Sequence, residues 1–180
     1  MGGTTSISAP TQDDLYREAV DQFSSSLERL VNAYEVDPEK RRDLSQEIHF
    51  QLWRSLQKFD ARCSLRTWTY RVAHNVGASH IIRERRVYST LVSLEEIELA
   101  PAKSSSLSEL DRCLNLDRLG SLIQGLKPLD RQIIVSYLED LDAATISEIT
   151  GLSPTNVAMR IHRIKNILTK QFHQGGHDSE

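Results

Sequence analysis

The residues best suited to chemistry lie between positions 62 and 86, in the segment RCSLRTWTYRVAHNVGASHIIRERR, which is rich in arginine and contains aromatic side chains. Wound as an α-helix of about 3.6 residues per turn, this segment separates into an apolar stripe and an opposite, basic and aromatic arc. The apolar stripe, which we expect to face a core, comprises Leu65, Trp68, Val72 and Val76. The opposite arc, which we expect to face outward, comprises Arg66, Tyr70, Arg71, His74 and Arg85.

Such an arc suits a nucleic-acid strand. Cations neutralise phosphates, and exposed rings stack on unpaired bases at roughly 1 to 3 kcal/mol per base. An ordinary solvated helix face is the alternative, and this segment alone does not separate the two interpretations.

The composition and apolar pattern of the whole chain predict an all-α fold with two small helical domains. The chain has 180 residues, 39% of them hydrophobic, and a net charge of −3. No segment shows the alternation typical of a strand. Acidic residues gather in 88–111 and basic residues on particular helices, so the negative net charge does not argue against DNA binding. No apolar run approaches the roughly 20 residues that span a bilayer, and Cys63 and Cys113 are read as free thiols of a cytoplasmic protein.

The apolar pattern divides the chain into two blocks. Residues 1–12 are expected to be a disordered tail, 13–87 a helical bundle, 88–107 a flexible linker, 108–172 a second helical domain, and 173–180 a tail. A capping residue followed by proline at Asp37 and Pro38 predicts a helix start. The linker is expected to uncouple the orientations of the two domains.

A helix-turn-helix is the second chemical signal. Gly151 suits a left-handed turn, Ser153 a helix cap, and Pro154 the first position of a longer helix. Ser147 is small where two such helices must cross closely. Polar side chains on the outer face of this longer helix can hydrogen-bond to base edges in the major groove, and flanking cations can reach phosphates. The alternative is an ordinary helical hairpin.

These blocks together resemble the extracytoplasmic-function class of bacterial sigma factors, which keep only regions two and four. The run LRTWTYRVAHNV at 65–76 is similar to a family motif of region two, and DLSQEIHFQLWRSLQKFD at 43–60 is similar to its polymerase-binding helix. The segments LKPLDRQIIVSYLEDL and ISEITGLSPTNVAMRIHRIK resemble region four. The resemblance covers the chain from Leu15 to Leu168.

The resemblance implies a dissociable subunit that binds core RNA polymerase, directs it to promoter DNA and helps open the duplex. Region two would hold the minus-ten element as a single strand, and the helix-turn-helix would read the minus-thirty-five element. Within region two, Trp68 is expected to serve the core more than base stacking, whereas Tyr70 and His74 are better stacking candidates. The loop from Asp60 to Leu65 would help form a pocket for an extruded base.

Three sets of binding residues follow from the resemblance. The polymerase-binding set is Asp43, Gln46, Glu47, Trp53 and Arg54. The minus-ten set is Arg62, Arg66, Trp68, Tyr70, Arg71, His74, Asn75, Ser79 and Arg83. The minus-thirty-five set is Ser153, Thr155, Asn156, Met159, Arg160, His162, Arg163 and Lys165.

The chain departs from the family at the start of the polymerase-binding helix. Lys40, Arg41 and Arg42 stand where the family usually has acidic residues, and like charges across an interface weaken docking on a basic polymerase surface. One hypothesis is that phosphorylation of Ser45 restores the missing negative charge. Ser79 replaces a frequent aspartate. Asp140 replaces a frequent glycine before the helix-turn-helix, where an aspartate is tolerated.

Two other function classes are alternatives to this interpretation. An enzyme is disfavoured because the sequence has no HExxH, glycine-rich phosphate loop or nucleophile elbow, and Cys63, His74 and His80 lack a fourth metal ligand. We therefore expect no catalytic residue, metal or cofactor. The stronger alternative is a helix-turn-helix regulator that binds DNA without recruiting polymerase. Expected regulatory partners are an anti-sigma factor or a Ser/Thr kinase, with no membrane insertion.

Overall fold

The structure, a computed structural model, describes residues 10–91 and 109–174, with side chains for 10–84 and 115–172. The regular elements of these residues are all helices, in agreement with the all-α prediction. They are α1 (Gln12–Tyr34), α2 (Pro38–Leu56), α3 (Leu65–Leu91), α4 (Glu109–Gln124), α5 (Pro128–Leu138), α6 (Ala143–Thr150) and α7 (Pro154–Gln174). Within the same residues, no helix is both long and apolar enough to cross a membrane.

Local sequence signals set the first helix boundaries. Thr11 caps α1 in a reciprocal capping box with Asp14. The Asp37 carboxylate accepts from the backbone N–H groups of Glu39 (2.8 Å) and Lys40 (3.3 Å) at the start of α2. The expected start at Pro38 is thereby confirmed. The expected apolar stripe of α2 is also confirmed, because its four members are all buried: Leu44, Ile48, Leu52 and Leu56.

Helices α1, α2 and α3 pack into a three-helix bundle with α3 against both of the others. Helices α1 and α3 approach closely at Gly77 of α3, where a Cβ atom would lie 2.8 Å from the ring of Tyr34 on α1. Only a glycine lets the buried Tyr34 ring lie this close to the α3 backbone. The ring therefore fixes the spacing of the two helices.

The second block has the geometry of a helix-turn-helix in α6 and α7. Gly151 adopts φ 75°, as the turn requires. The Ser147 hydroxyl donates to the Leu152 carbonyl at 2.5 Å, so this small residue also ties the turn together. Asp140 takes the left-handed conformation at φ 56°, as expected of an aspartate that replaces a glycine. Ile146, Val157 and Ile164 form the buried centre of the motif.

The two blocks lie against each other, with α1 and α3 contacting α4, α5 and α6. The Gln124 side chain donates to the Asn32 carbonyl at 2.9 Å, and Arg29 is paired with Glu139 at 2.6 Å. In this arrangement hydrogen bonds and an ion pair join the two blocks, and the expectation that the linker uncouples their orientations stays a prediction. Helix α3 reaches Leu91. The remaining part of the predicted linker, 92–107, and most of both predicted tails lie outside the described residues, and the domain limits stay predictions.

Candidate nucleic-acid interface

Part of the arc of α3 that was expected to face outward is instead buried between α1 and the C-terminal block. Tyr70 and His74 are both fully buried. Their predicted exposure is wrong because helical periodicity separates the faces of a helix but does not say which of them a distant segment covers. A tyrosine or a histidine can be buried when its polar atoms find partners. We refer to Arg66, Tyr70, Arg71 and His74 as the covered arc.

His74 forms a polar chain across the two blocks. Its Nδ1 lies 3.0 Å from the Tyr34 hydroxyl, and its Nε2 lies 2.9 Å from the Ser136 hydroxyl of α5. Burial lowers the pKa of His74 from 6.5 to about 3, against a smaller opposing effect of the Glu139 charge. A neutral ring, with one donor and one acceptor nitrogen, satisfies both hydroxyls. This histidine is therefore a neutral bridge rather than an exposed stacking ring.

The two arginines of the covered arc bind the ends of helices. Arg66 donates to the Glu139 carbonyl at the end of α5 at 2.6 Å, and Arg71 donates to the Glu148 carbonyl near the end of α6 at 3.0 Å. The last carbonyls of a helix lack partners within the helix and carry the negative end of its dipole. The C-terminal block thus supplies neutralising oxygens to both cations. The Arg85 side chain lies outside the described residues.

Glu139 is the centre of the contact between the blocks and was not identified from the sequence. Its carboxylate accepts two hydrogen bonds from Arg29, at 2.6 and 2.7 Å, and lies 3.4 Å from the Tyr70 hydroxyl. Burial alone raises the pKa of Glu139, but the hydrogen bonds from Arg29, Ser26 and Tyr70 outweigh it and lower the pKa. The carboxylate is therefore held ionised. No local signal could have revealed this role, because Arg29 and Tyr70 are remote in sequence.

A groove between α2 and α3 remains open on the other side of α3. The members of the minus-ten set that line it are Asn75, Ser79 and Arg83, all of them exposed. Across the groove lie Glu47 and Gln51 of α2, and the cavity is about 330 Å³. We refer to this feature as the open groove. Amide, hydroxyl and guanidinium groups supply the donors and acceptors that a nucleotide needs.

The Trp68 side chain packs against neighbouring side chains instead of pointing into solvent. Its indole N–H donates to the Ser55 hydroxyl at 2.9 Å, and its ring meets Phe59 edge to face at 5.4 Å between centroids. The structure therefore agrees with the expected core role. In the preceding loop, Arg62 is exposed and paired with Asp60 at 3.0 Å. Arg62 is accessible to a strand on this side of the bundle.

The predicted polymerase-binding residues form one exposed face of α2. Asp43, Gln46, Glu47, Trp53 and Arg54 are all exposed. Trp53 is held in place by its indole N–H, which donates to Asp13 at 2.8 Å. Sequence reasoning missed Phe50, which is 54% exposed on the same helix. An apolar residue outside the buried stripe of α2 was the available signal.

The cationic departure at the start of α2 is partly neutralised within the bundle. Lys40 pairs with Glu84 of α3. Arg41 donates to the Asn32 side chain at 3.0 Å and to the Val36 carbonyl at 2.6 Å. Arg42 is exposed. The expected repulsion from a basic polymerase surface therefore falls on Arg41, whose partners are uncharged, and on the exposed Arg42.

Helix α7 presents most of the predicted minus-thirty-five set. Two members are exceptions, Arg160 and Asn156. Arg160 is partly buried and donates to Asp130 of α5 at 2.7 Å. Arg163 also reaches Asp130, at 3.1 Å, and Lys165 lies 5.3 Å from the centre of the Tyr137 ring. Asn156 is partly buried and its backbone N–H binds Ser153. The members that are exposed are Ser153, Thr155, Met159, His162, Arg163 and Lys165.

A metal role is not supported among the residues that the structure describes, where no group of three or more His, Cys, Asp or Glu side chains is arranged to hold an ion. Cys63 is a free thiol. His80 is bound to Glu35 at 2.7 Å, and His74 is occupied by hydroxyl groups. The three residues considered for a metal therefore have separate surroundings.

Comparison with known families matches the two blocks separately. Residues 19–87 match the family described as Sigma-70 region 2, and residues 116–168 match the family described as Sigma-70, region 4. Two relatives come from Bacillus subtilis (strain 168). The ECF RNA polymerase sigma factor SigW is 23% identical over 88% of this chain and 86% of its own. The RNA polymerase sigma factor YlaC is 24% identical over 89% of this chain and 91% of its own.

Solved structures share the fold. The sigma factor RpoE of Bartonella quintana, in complex with the anti-sigma factor NepR, has a TM-score of 0.66 at 18% identity and covers 89% of this chain and 96% of its own. CnrH, in complex with the cytosolic domain of CnrY, has a TM-score of 0.63 at 19% identity and covers 91% of this chain and 90% of its own. At these identities the likeness establishes the fold.

Proposed function

The chain belongs to the extracytoplasmic-function class of the sigma-70 family, and from this premise we propose how its surfaces divide the work of initiation. It is a bacterial transcription initiation factor that binds core RNA polymerase and directs it to promoters. We assign polymerase binding to the exposed face of α2, strand binding to α3, and duplex reading to α7. No enzymatic activity of its own is part of the proposal, and a cytoplasmic location follows from the partner.

The observation that carries this division is the pairing of two different polar surfaces in one chain. The open groove offers hydrogen-bonding groups in a concave setting, which suits unpaired bases. Helix α7 follows a left-handed turn at Gly151 and presents Thr155 and Met159 near its N-terminus, as a recognition helix does in the major groove. A chain that carries both surfaces suits melted and intact DNA in the same promoter.

Transcription of a randomised promoter library with purified core polymerase tests the proposal. We expect transcripts that begin downstream of a shared sequence pattern only when the chain is present. The matched variant Met159→Ala is expected to change the pattern at the upstream element, and Asn75→Ala the pattern at the downstream element. Duplex binding by the free chain with no transcripts on any template would instead support a regulator that acts without polymerase.

We further propose that phosphorylation of Ser45 strengthens polymerase binding. Ser45 lies on α2 one helical turn after Arg41 and Arg42, so a phosphate there would face cations at the i−4 and i−3 positions. Its charge of about −1.5 to −2 would offset the exposed Arg42. We expect Ser45→Asp to tighten binding to core polymerase, Arg42→Asp to act in the same direction, and Ser45→Ala to leave it unchanged. Unchanged binding in both acidic variants would contradict the proposal.

Control by an anti-sigma factor is a second proposed form of regulation. Both solved structures described above contain a second protein, which is the cytosolic domain of CnrY for CnrH and an anti-sigma factor for RpoE. A Ser/Thr kinase would be the corresponding partner for Ser45. Co-purification of the chain from its source cells, before and after an inducing stress, would identify which regulator it binds.

A further inference from the structure

We propose that Asp130 of α5 is a positioning residue for promoter selection, because its carboxylate holds the guanidinium group of Arg163 in the direction from which this side chain contacts one base pair of the upstream element. The inference rests on the proposed function, since it deepens the assignment of duplex reading to α7. It concerns Asp130, Arg160 and Arg163, which we refer to as the Asp130 cluster.

The Asp130 cluster joins the start of α5 to one face of α7. Asp130 lies in the first turn of α5, and its side chain is 13% exposed. Its carboxylate accepts from Nη1 of Arg160 at 2.7 Å. It also accepts from Nη2 of Arg163, at 3.1 Å through Oδ2 and 3.3 Å through Oδ1. The two arginines are three residues apart on α7, so they project from the same face of the helix. One carboxylate therefore fixes the direction of two cations.

The two arginines differ in how much of each side chain remains available to DNA. The Arg160 side chain is 29% exposed and makes the shorter contact, so it anchors the cluster. The Arg163 side chain is 56% exposed, and both of its contacts with Asp130 use the same terminal nitrogen. A guanidinium group has several N–H donors in a fixed fork, so the rest of the Arg163 fork can donate to a base edge. Arg163 is thus both oriented and accessible.

The position of Arg163 on α7 suits a base contact. It lies one helical turn after Met159, which is exposed and is proposed above to contact the upstream element. An arginine distinguishes base pairs through two hydrogen bonds to one base edge, and these need a planar alignment of the fork. A fork that is already aligned also loses less conformational entropy when DNA binds. Asp130 supplies this alignment in the free chain.

The charge of the cluster separates orientation from simple attraction. Two arginines and one aspartate leave a single net positive charge, so Asp130 weakens the attraction of the cluster for phosphates. A surface that only binds phosphates gains nothing from such an acid. Contacts with phosphates position a protein on DNA, whereas contacts with base edges specify the sequence. The acid therefore serves the second kind of contact.

The packing of α5 on α7 has its own apolar basis. Ile133 of α5 and Val157 and Ile164 of α7 are fully buried in the hydrophobic core. Burial of apolar surface is the main favourable contribution to helix packing. Loss of the Asp130 carboxylate should therefore leave the fold intact and release the Arg163 side chain.

Promoters with a randomised upstream element, transcribed by core polymerase with the full chain, test the inference. Arg163→Ala identifies the base pair that Arg163 contacts, as the position at which selection is lost. We expect Asp130→Asn to reduce selection at the same position at least about fivefold, because a well-placed arginine pair discriminates by about that factor or more. The double variant should lose no more selection there than Arg163→Ala alone, since the two residues act as one unit.

A second measurement should change in the opposite direction. Asp130→Asn removes an acid from beside two cations, so the polymerase complex should bind a duplex with a scrambled upstream element at least as tightly as before. The salt dependence of this binding should steepen by up to about one ion in the slope, because the released arginines can reach phosphates. A residue that only supports the fold would weaken selective and nonselective binding together.

Two control variants are matched to this change. Asp130→Glu keeps the carboxylate, so it should restore most of the selection that Asp130→Asn loses. Asp140→Asn removes the same charge from the same block at an exposed residue. Asparagine tolerates the left-handed backbone of this position, so selection should equal that of the original chain.

The outcomes separate the inference from the proposed function. Unchanged selection in Asp130→Asn, at a position where Arg163→Ala removes it, would overturn the inference alone. Equal loss at every position of the upstream element, together with weaker nonselective binding, would also overturn it, because Asp130 would then only support the fold. An original chain that transcribes with core polymerase but selects no upstream sequence would instead overturn the assignment of duplex reading to α7.

Discussion

The two sides of α3 carry similar chemistry in different surroundings. The covered arc holds two arginines and two aromatic rings, yet both arginines and one ring nitrogen of His74 are hydrogen-bonded to the C-terminal block. The open groove holds Asn75, Ser79 and Arg83, which are exposed. Residue type alone therefore does not identify which cations and rings of a helix are accessible to DNA. The partner on each side decides it, and the following variants probe that difference.

The largest expected effect comes from the buried ring of the covered arc. Tyr70→Ala removes a fully buried side chain that meets Phe23 of α1 and lies beside Glu139 at the end of α5, and we expect a loss of about 3 to 5 kcal/mol in the free energy of unfolding. Urea denaturation measures this loss. Tyr70→Phe is the control and should cost less than about 1 kcal/mol, since the hydroxyl is 3.4 Å from Glu139. A small effect of Tyr70→Ala would mean that this side of α3 is not packed.

The next effect concerns the close approach of α1 to α3. Gly77→Ala places a Cβ atom 2.8 Å from the Tyr34 ring, so we expect a loss of about 1 to 3 kcal/mol in unfolding free energy despite the better helix propensity of alanine. Gly120 in α4 has no atom within 4 Å of such a Cβ. The control Gly120→Ala should therefore stabilise the chain by up to about 1 kcal/mol. If thermal unfolding gives the same change in unfolding free energy for Gly77→Ala and Gly120→Ala, the Tyr34 ring moves aside to accommodate the added methyl group.

A substitution in the open groove should change promoter binding rather than the free energy of unfolding. Arg83→Ala changes an exposed side chain, so the free energy of unfolding should move by no more than about 0.5 kcal/mol. Loss of a cation that binds DNA should weaken promoter binding by polymerase and reduce its salt dependence, by about one ion in the slope. A filter-binding salt titration measures this slope. An unchanged slope would remove Arg83 from the strand-binding surface.

The free energy of unfolding should also depend on pH through His74, by about 1.4 kcal/mol for each pH unit. His74 has its pKa lowered from 6.5 to about 3, so its neutral form is favoured in the packed protein. The stability it confers is complete above pH 6.5 and is lost as the pH falls below that value. The groups that face it are the hydroxyls of Tyr34 and Ser136, the Tyr70 ring and the Glu139 carboxylate.

Urea denaturation between pH 7 and pH 5 measures this dependence. The pKa of Glu139 is lowered, so the stability that its carboxylate contributes is lost only as the pH falls below the ordinary pKa of 4.5. Between pH 7 and pH 5 the change in stability therefore comes from histidines. His74→Gln keeps hydrogen-bonding atoms and should flatten the curve. Burial also lowers the pKa of His49, but this residue is present in both proteins, so it does not contribute to the difference between their curves. Parallel curves for the two proteins would show that His74 is not buried in the neutral form.

Much of the fold was predictable from local sequence. The starts of α2 and α5 at prolines, the turn at Gly151 and the buried stripe of α2 all follow from steric and capping rules that act within a few residues. The order of the two blocks followed from a resemblance and is confirmed by the family matches. The site was less predictable, because Glu139, Asp130 and Ser136 act through partners that lie far away in the chain.

The sequence by itself determined the helices, their caps and the division of α3 into two faces, because these depend on backbone sterics and a fixed helical period. Only the tertiary structure decided which face is covered. Tyr70 and His74 are amphipathic side chains, and they are buried here because Glu139 and Ser136 reach them from more than 60 residues away. Burial of a polar side chain depends on whether such a partner is present, and chain folding supplies it.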